Sequence, residues 1–383
     1  MASVHIPRPV ANAPLSRPIV HVVARYPPAL GGTEQLAQSL ARHQHRLGLN
    51  VRVLTSSLRP PGSVPEPEPF PVARLKSAEI AHTPVMPALL PRLLRIDRDS
   101  LVHLHISSAY APDMVWLRSR LRNTDYIAHI HLDVLPSGRA GILLEPYKNL
   151  FLRRVLHDAA AVIVPTDDYR PLISAKYGLS PGRIQVVGCG TDHAIAARSR
   201  SGPAAGAGQL LFVGRLSPQK NIPLLLDALA DYRRRYSHPV RLTIVGDGAL
   251  RDQVCAQIAR LGLTDVVAMP GPLTGRELEA AYEQADLLLL TSVNESFGLV
   301  LIEAMTKAVP IVSVDIPAVR NVAKNGVNGI LTASAPEAIA DAIHSLLSDR
   351  ELYATMSKAN LEKAPEFGWP AVAAQLTAIY RSL

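Results

Sequence analysis

Short apolar runs alternate with longer amphipathic stretches along this chain, and the alternation occurs twice. In the first half the runs are residues 19–24, 51–55, 101–105, 126–130, 160–164 and 184–187; in the second they are 210–213, 242–245, 266–269, 287–290 and 311–314. They are rich in Val, Ile and Leu and bounded by turn residues, the pattern of strands buried on both faces. Stretches of helical period lie between them, among them residues 34–47, 222–236 and 249–261. A strand–loop–helix–strand order closes as a βαβ unit of a parallel sheet, so the expected class is α/β, doubly wound. At 383 residues the chain is long for one domain and suits two. Aromatic residues make up only 5%, so both cores must be mainly aliphatic.

The expected layout is a disordered lead-in over residues 1–17, a first Rossmann-like domain over 18–197 and a linker over 198–208. A second Rossmann-like domain follows over 209–365, then a last helix over 366–383. The linker, RSRSGPAAGAG, is small, polar and flexible in composition. Residues 59–71, rich in Pro and Glu, read as an exposed loop. Doubly wound sheets bind ligands outside the carboxyl ends of their strands, so the expected site is a cleft between two such domains.

The formal net charge of +8 is unevenly placed. Residues 1–190 carry 22 Lys+Arg against 13 Asp+Glu, a balance of +9, and the remaining residues carry 18 against 19, or −1. A basic first half suits an acidic acceptor or peripheral contact with an anionic membrane face, or is a solvated surface. The arginines are not interleaved with aromatics, which argues against a nucleic-acid partner. Cys189 and Cys255 are the only cysteines, which excludes a disulfide framework and a thiolate metal site. No signal-peptide core and no run of 18 apolar residues occurs, so a cytoplasmic protein is expected.

Four motifs carry chemistry. In NESFGLVLIEAM, residues 294–305, Glu295 follows an apolar strand and Glu303 lies on the helix beyond it. Gly298 permits close backbone approach, and the free N–H groups of Phe297, Gly298 and Leu299 at a helix start suit a diphosphate. Glu303 can accept hydrogen bonds from ribose hydroxyls, although a helix-start acid and a solvated acid give the same spacing. In FVGRLSPQKN, residues 212–221, Arg215 and Lys220 leave a strand end where they can clamp a phosphate, the one as a planar fork and the other as a point charge. In LGGTE, residues 30–34, Gly31 and Gly32 precede a helix. This is not the GxGxxG pattern, which counts against a dehydrogenase. In HIHLDV, residues 129–134, alternation places His129 and His131 on one side, with His131 nearer the strand's carboxyl end. Asp97-Arg98-Asp99 has the form of a metal-binding Asp-x-Asp but sits in an Arg-rich stretch with no strand ahead of it, so it reads as a solvated turn.

Taken together these motifs resemble the GT-B retaining glycosyltransferases of family 4, the glycosyl transferases group 1. The resemblance rests on GGTE at 31–34, VGRLSPQK at 213–220, VGDG at 245–248 and ESFGLVLIEA at 295–304, in that order. VVGCGTD at 186–192 resembles the turn before the linker, and EFGWPAVAAQLTAIY at 366–380 a last helix that crosses back to the first domain. It implies that Arg215 and Lys220 bind the donor diphosphate, that Gly32 approaches it from the first domain, and that Glu303 holds the ribose. It implies that Glu295 binds the donor sugar hydroxyls beside the N–H groups of Ser296 to Val300, and that His131 contacts the sugar near its reacting end. Asn221, Ala308, Pro317, Ala318 and Asn321 depart from the family pattern, where the first two are often Gly.

The implied activity is transfer of a sugar from a UDP- or GDP-sugar co-substrate to an acceptor hydroxyl, with retention, no bound cofactor and no metal. Front-face attack is implied, with the leaving phosphate taking the acceptor proton. The acceptor is a small natural product such as an aminocyclitol of antibiotic biosynthesis, or a lipid-linked or polysaccharide precursor. The Ala-, Arg- and Pro-rich composition points to a high-GC bacterial source. Competing readings are another GT-B nucleotide-sugar enzyme, an epimerase or phosphorylase, and a non-catalytic nucleotide-sugar-binding protein.

Overall fold

A computed structural model describes residues 17–29, 32–81, 83–131, 144–295 and 297–383. Gly31, Ser296 and nearly all of the expected lead-in lie outside the described residues. The chain divides into two compact units. The first holds the residues up to Ile163 together with Gly182–Ile184 and Ala373–Leu383, and the second holds Val164–Pro181 and Gln185–Val372.

In chain order the strands through the first sheet are β1 (Ile19–Val22), β2 (Val51–Ser56), β3 (Val72–Leu75), β4 (Ala78–Ile80), β5 (Thr83–Val85), β6 (Leu101–Ile106), β7 (Tyr126–Ile130), β8 (Ala161–Val164) and β9 (Ile184–Val186). Seven of them form one sheet in the order β3-β2-β1-β6-β7-β8-β9, and β4 and β5 make a small antiparallel ribbon. The pairs from β3 to β8 are all parallel. The helix Gly32–Arg46 buries Leu36, Ala37, Leu40, Ala41 and also Gln44, a polar residue on an otherwise apolar stripe. The helix Trp369–Arg381 ends within the first unit, as its residue membership shows.

The second sheet takes β10 (Gly208–Val213), β11 (Val240–Val245), β12 (Val267–Gly271), β13 (Leu287–Leu290), β14 (Ile311–Val314) and β15 (Gly329–Thr332) in the order β12-β11-β10-β13-β14-β15, parallel throughout. Its core is mainly aliphatic, built on Leu210, Leu225, Leu229, Ile244, Leu287, Ile343 and Leu346 with the aromatic rings of Phe212, Tyr232 and Tyr353. In each sheet the order reverses beside the first strand of the unit, between β1 and β6 and between β10 and β13. Doubly wound folds leave room for a ligand at such a switch point.

The eleven expected strands all form, with ends shifted by a residue or two. The segment read as a flexible linker is instead tied to the second unit. Arg200 donates to the backbone carbonyls of Lys307, Ala285, Tyr282 and Glu283, and its own N–H donates to Ser357. Ala204 donates to the Asp286 carboxylate, and Gly208 already belongs to β10. Composition shows small residues but not the single arginine that anchors them. Among the described residues no helix is long and apolar enough to cross a membrane.

Candidate functional site

Two loops leave the carboxyl ends of β10 and β13, which are neighbours in register through Leu210 with Leu287 and Leu211 with Leu288. The first loop carries Arg215 and Lys220 and the second Glu295, so adjacency of the strands brings residues 75 apart in sequence together. Lys220 Nζ lies 2.5 Å from Glu295 Oε1, and the Ser292 hydroxyl donates to the same oxygen at 2.6 Å. Both charged side chains are largely covered, at 16% and 9% exposed, so removing either one leaves a partly buried charge without its partner. The loops are also joined through their backbones. Val293 N–H donates to Gln219 O at 2.9 Å, Gln219 Nε2 to Asn294 O at 2.7 Å, and Thr291 Oγ1 to Lys220 O at 3.0 Å.

Glycines explain how the first loop is seated. A side chain at Gly246, whose φ is +129°, would put its Cβ 2.0 Å from the carbonyl oxygen of Gly214, and one at Gly248 would come within 2.4 Å of Leu216 O. The loop after β11 therefore lies directly on the loop that carries Arg215, and Leu216 N–H donates to Asp247 O at 3.0 Å. Gly188 is likewise filled by the Phe297 ring, 2.8 Å from where its Cβ would stand. The VGDG and VVGCG segments thus matter as packing surfaces for the two functional loops.

Asn221 closes the short turn Pro218–Lys220 in the left-handed region, at φ 46°, and begins the helix Ile222–Arg235. Asn is the residue that best replaces Gly there, which accounts for its departure from the family pattern. Ala308 is at φ 56°, a conformation that Gly adopts without strain, and Ala does not. Gly298 sits at φ 78° just before the helix Leu299–Thr306, so its backbone conformation demands glycine whatever approaches it. Phe297 is buried, and Leu299 and Val300 open the helix, half-buried. The first N–H groups of a helix have no intrahelical acceptor and favour an anion.

Glu303 lies on that helix, where the Tyr282 hydroxyl donates to its Oε2 and His193 Nε2 is 3.7 Å from its Oε1. Burial, with the neighbouring Glu303 carboxylate, raises the Tyr282 phenol well above its usual pKa, so it remains a donor. Sequence reading missed Tyr282 and His193, which lie on other elements and gain meaning only once Glu303 is placed. The Arg215 side chain is exposed and makes no hydrogen bond or ion pair with the described residues, while its carbonyl accepts from Ser217 N–H at 2.9 Å. Asp97 and Asp99 are exposed in a turn before β6, as expected.

In the first unit, Gly32 begins its helix exposed, and a Cβ there would meet nothing within 4 Å. Neither packing nor a positive φ requires that glycine. His131 follows β7 and is buried, with His129 beside it at a ring separation of 4.1 Å. These two do not stand alone. His21 on β1 and His103 and His105 on β6 share their face of the sheet, since His21 is the register partner of His103 and His105 of His129. All five imidazoles are buried. Burial lowers His21 to about 4 and His131 to about 3, and burial with mutual repulsion holds His103, His105 and His129 well below the ordinary value. Sequence reading missed His21, His103 and His105; the signal that points to them is His at alternate positions of LVHLHI, as in HIH, with a single His in the neighbouring strand IVHV.

The profile described as "Glycosyl transferases group 1" matches residues 196–363, and the one described as "Glycosyl transferase 4-like domain" matches residues 31–190. The chain belongs to the group 1 glycosyltransferases. The chain is 34% identical over 220 residues to the D-inositol 3-phosphate glycosyltransferase of Thermobispora bispora, covering 53% of the chain and 51% of that relative. It is 32% identical over 254 residues to the protein of the same description from Kineococcus radiotolerans, covering 60% of the chain and 58% of that relative. The matches thus span between half and three fifths of these curated relatives' length. In fold the chain is similar to Anabaena Alr3699/HepE, crystallised in complex with UDP and glucose, with TM-score 0.73 at 20% identity over 96% of this chain and 100% of that one. It is similar also to a sucrose-phosphate synthase of Thermosynechococcus elongatus, with TM-score 0.72 at 22% identity, covering 96% and 98%. Its architecture is that of the GT-B fold.

Proposed function

We propose that this chain moves a hexose or amino sugar from a UDP- or GDP-sugar to an acceptor hydroxyl, with retention at the anomeric carbon and without a divalent metal. The observation that carries the reading is the Lys220–Glu295 pair at the switch point of the second sheet, beside the start of the helix Leu299–Thr306. The costly event in such a reaction is charge growing on the departing diphosphate as the bond from the anomeric carbon to its oxygen breaks. Lys220, the exposed guanidinium of Arg215 and the helix-start N–H groups offer positive potential for that charge. Glu295, oriented by Ser292 and Lys220, keeps its second carboxylate oxygen for sugar hydroxyls, and Glu303, held by Tyr282, serves the ribose. His131 in the first unit is assigned to the transferred sugar. The acceptor oxygen bonds to the anomeric carbon, and its proton leaves on the diphosphate.

For the acceptor we favour a small phosphorylated polyol. The curated relatives named above are D-inositol 3-phosphate glycosyltransferases, and the basic surplus of residues 1–190 suits an anionic acceptor. The test is to incubate purified protein with UDP- and GDP-sugars and a panel of phosphorylated, unphosphorylated and lipid-linked acceptors, with and without EDTA. Nucleoside diphosphate release and product mass are read. The expected result is transfer to the phosphorylated polyol, undiminished by EDTA, with an axial or equatorial anomeric bond matching that of the donor. Inverted product, or turnover abolished by EDTA and restored by magnesium, ends this reading.

A further inference from the structure

The five buried histidines are joined in a definite pattern. Gln44 Oε1 is 2.7 Å from His21 Nε2, His21 Nδ1 is 2.9 Å from His105 Nε2, and His105 Nδ1 is 2.8 Å from His131 Nε2. A second branch starts from the other end of the same amide. Gln44 Nε2 is 2.9 Å from Tyr380 Oη, which is 2.5 Å from His103 Nδ1, and His103 Nε2 is 3.0 Å from His129 Nδ1.

A neutral imidazole has one N–H and one lone pair, so each link fixes the next. Gln44 Oε1 can only accept, so His21 carries its proton on Nε2. His21 Nδ1 then accepts from His105 Nε2–H, and His105 Nδ1 accepts from His131 Nε2–H. On the other branch the Gln44 amide N–H donates to the Tyr380 oxygen, whose own proton has His103 Nδ1 as its acceptor, and His103 Nε2–H donates to His129 Nδ1. Every ring comes out as the Nε2–H tautomer. We propose that Gln44, acting through His21 and His105, is a positioning residue that holds His131 as a neutral Nε2–H tautomer with its Nδ1 lone pair left to accept, and that the same amide, acting through Tyr380 and His103, sets the tautomer of His129. Among the described residues His131 Nδ1 has no partner, and neither does the N–H of His129. The inference deepens the assignment of His131 to the transferred sugar and rests on it for its role: an Nδ1 acceptor takes a hydrogen bond from a sugar hydroxyl and cannot donate one to it.

The same five rings include two groups of three whose ligand atoms lie close enough to hold a metal ion: His21, His103 and His105, and His105, His129 and His131. The geometry favours the hydrogen-bonded chain. Ligands around a tetrahedral zinc stand about 3.3 Å apart, given Zn–N near 2.0–2.1 Å, and their lone pairs converge on one point. Here the closest nitrogens are paired at 2.8–3.0 Å, and the His105 and His131 rings are stacked with planes 9° apart. Their lowered basicity keeps the rings uncharged at neutral pH, the state the chain requires.

The test is imidazole 15N NMR of the full chain, free of substrate, with labelled histidine. Protonated and unprotonated ring nitrogens have well separated shifts. The expected result is Nε2 protonated and Nδ1 unprotonated in His21, His105 and His131. Nδ1–H in any of those three, which a reversed Gln44 amide would produce, overturns the proposal, as does protein isolated with a stoichiometric transition metal on these rings. Gln44→Glu sharpens the test, because a carboxylate only accepts. His131 then stays Nε2–H, while Tyr380 turns its proton to Glu and His103 and His129 switch to Nδ1–H. If that variant does not fold, Tyr380→Phe, which removes one oxygen, releases His103 and His129 into both tautomers. If His103 and His129 keep their tautomers in whichever variant folds, the relay is overturned. These spectra are read without turnover, so absent transfer activity with the expected tautomers would sink the functional reading alone.

Discussion

At the switch point of the second sheet a cation and an anion meet, Lys220 and Glu295, held by short loops and glycine contacts. Beside the switch point of the first sheet five imidazoles fill the buried face and are held uncharged. One unit keeps full charges at a partly covered strand end, where they can answer a charged ligand. The other removes charge and keeps direction, since a neutral histidine chain transmits which nitrogen is protonated. The difference teaches that similar parallel sheets can set a site by potential in one place and by hydrogen-bond polarity in another.

The sharpest way to break the comparison is to remove the charge. Lys220→Ala takes away a preorganised donor and strands Glu295. Turnover is expected to fall by about 10²–10³, or roughly 3–4 kcal/mol of barrier, measured as kcat at saturating donor. Normal turnover would put the working charge elsewhere in the second unit.

Acid should separate the units next. In the unfolded chain an imidazole gains its proton as pH falls through 6.5, whereas in the folded chain His21 does so near 4 and His131 near 3. Below 6.5 the unfolded state holds more protons, so the contribution of these groups is complete above pH 6.5 and lost as pH falls toward 4. At about 1.4 kcal/mol per pH unit, His21 alone accounts for roughly 3 kcal/mol by pH 4. Hydrogen exchange followed segment by segment is expected to show β1, β6 and β7 losing protection between pH 6 and 4 before β10 and β13 do. None of the second unit's histidines is buried. Simultaneous loss in both units would show that the buried rings do not set the first unit's acid limit.

The smallest effect concerns backbone strain in the second unit. Ala308→Gly relieves a left-handed alanine at φ 56° but loses a buried methyl and frees the unfolded chain. A net gain of about 0.5 kcal/mol is expected in denaturant titration. A loss would mean that the methyl's packing outweighs the strain.

Much of the fold was legible because buried parallel strands are written as uninterrupted Val, Ile and Leu. The strands Val72–Leu75 and Gly329–Thr332 escaped notice because they are short and lie at sheet edges, and Arg74 interrupts the first. On the second unit the motif glutamates and Lys220 were readable from strand–loop–helix punctuation. What they touch was not, since Tyr282 and Ser292 enter through tertiary contact. The histidine chain was legible only as two of its five members, because register between β1, β6 and β7 brings the others alongside and linear order hides it. Gln44 was invisible for a related reason: a single amide on an apolar helix stripe signals nothing until its partners are known.

The bare backbone contact between Gly246 and Gly214, and between Gly248 and Leu216, bears on how such an enzyme could be retuned. Those two positions accept no other residue without displacing the strand-end loop that presents the cations. Libraries aimed at a different donor base or sugar would therefore leave 246 and 248 alone. Their diversity belongs at Gln219, Val293 and Asn294, exposed side chains on the same two loops, where new shapes can be tried over an undisturbed floor.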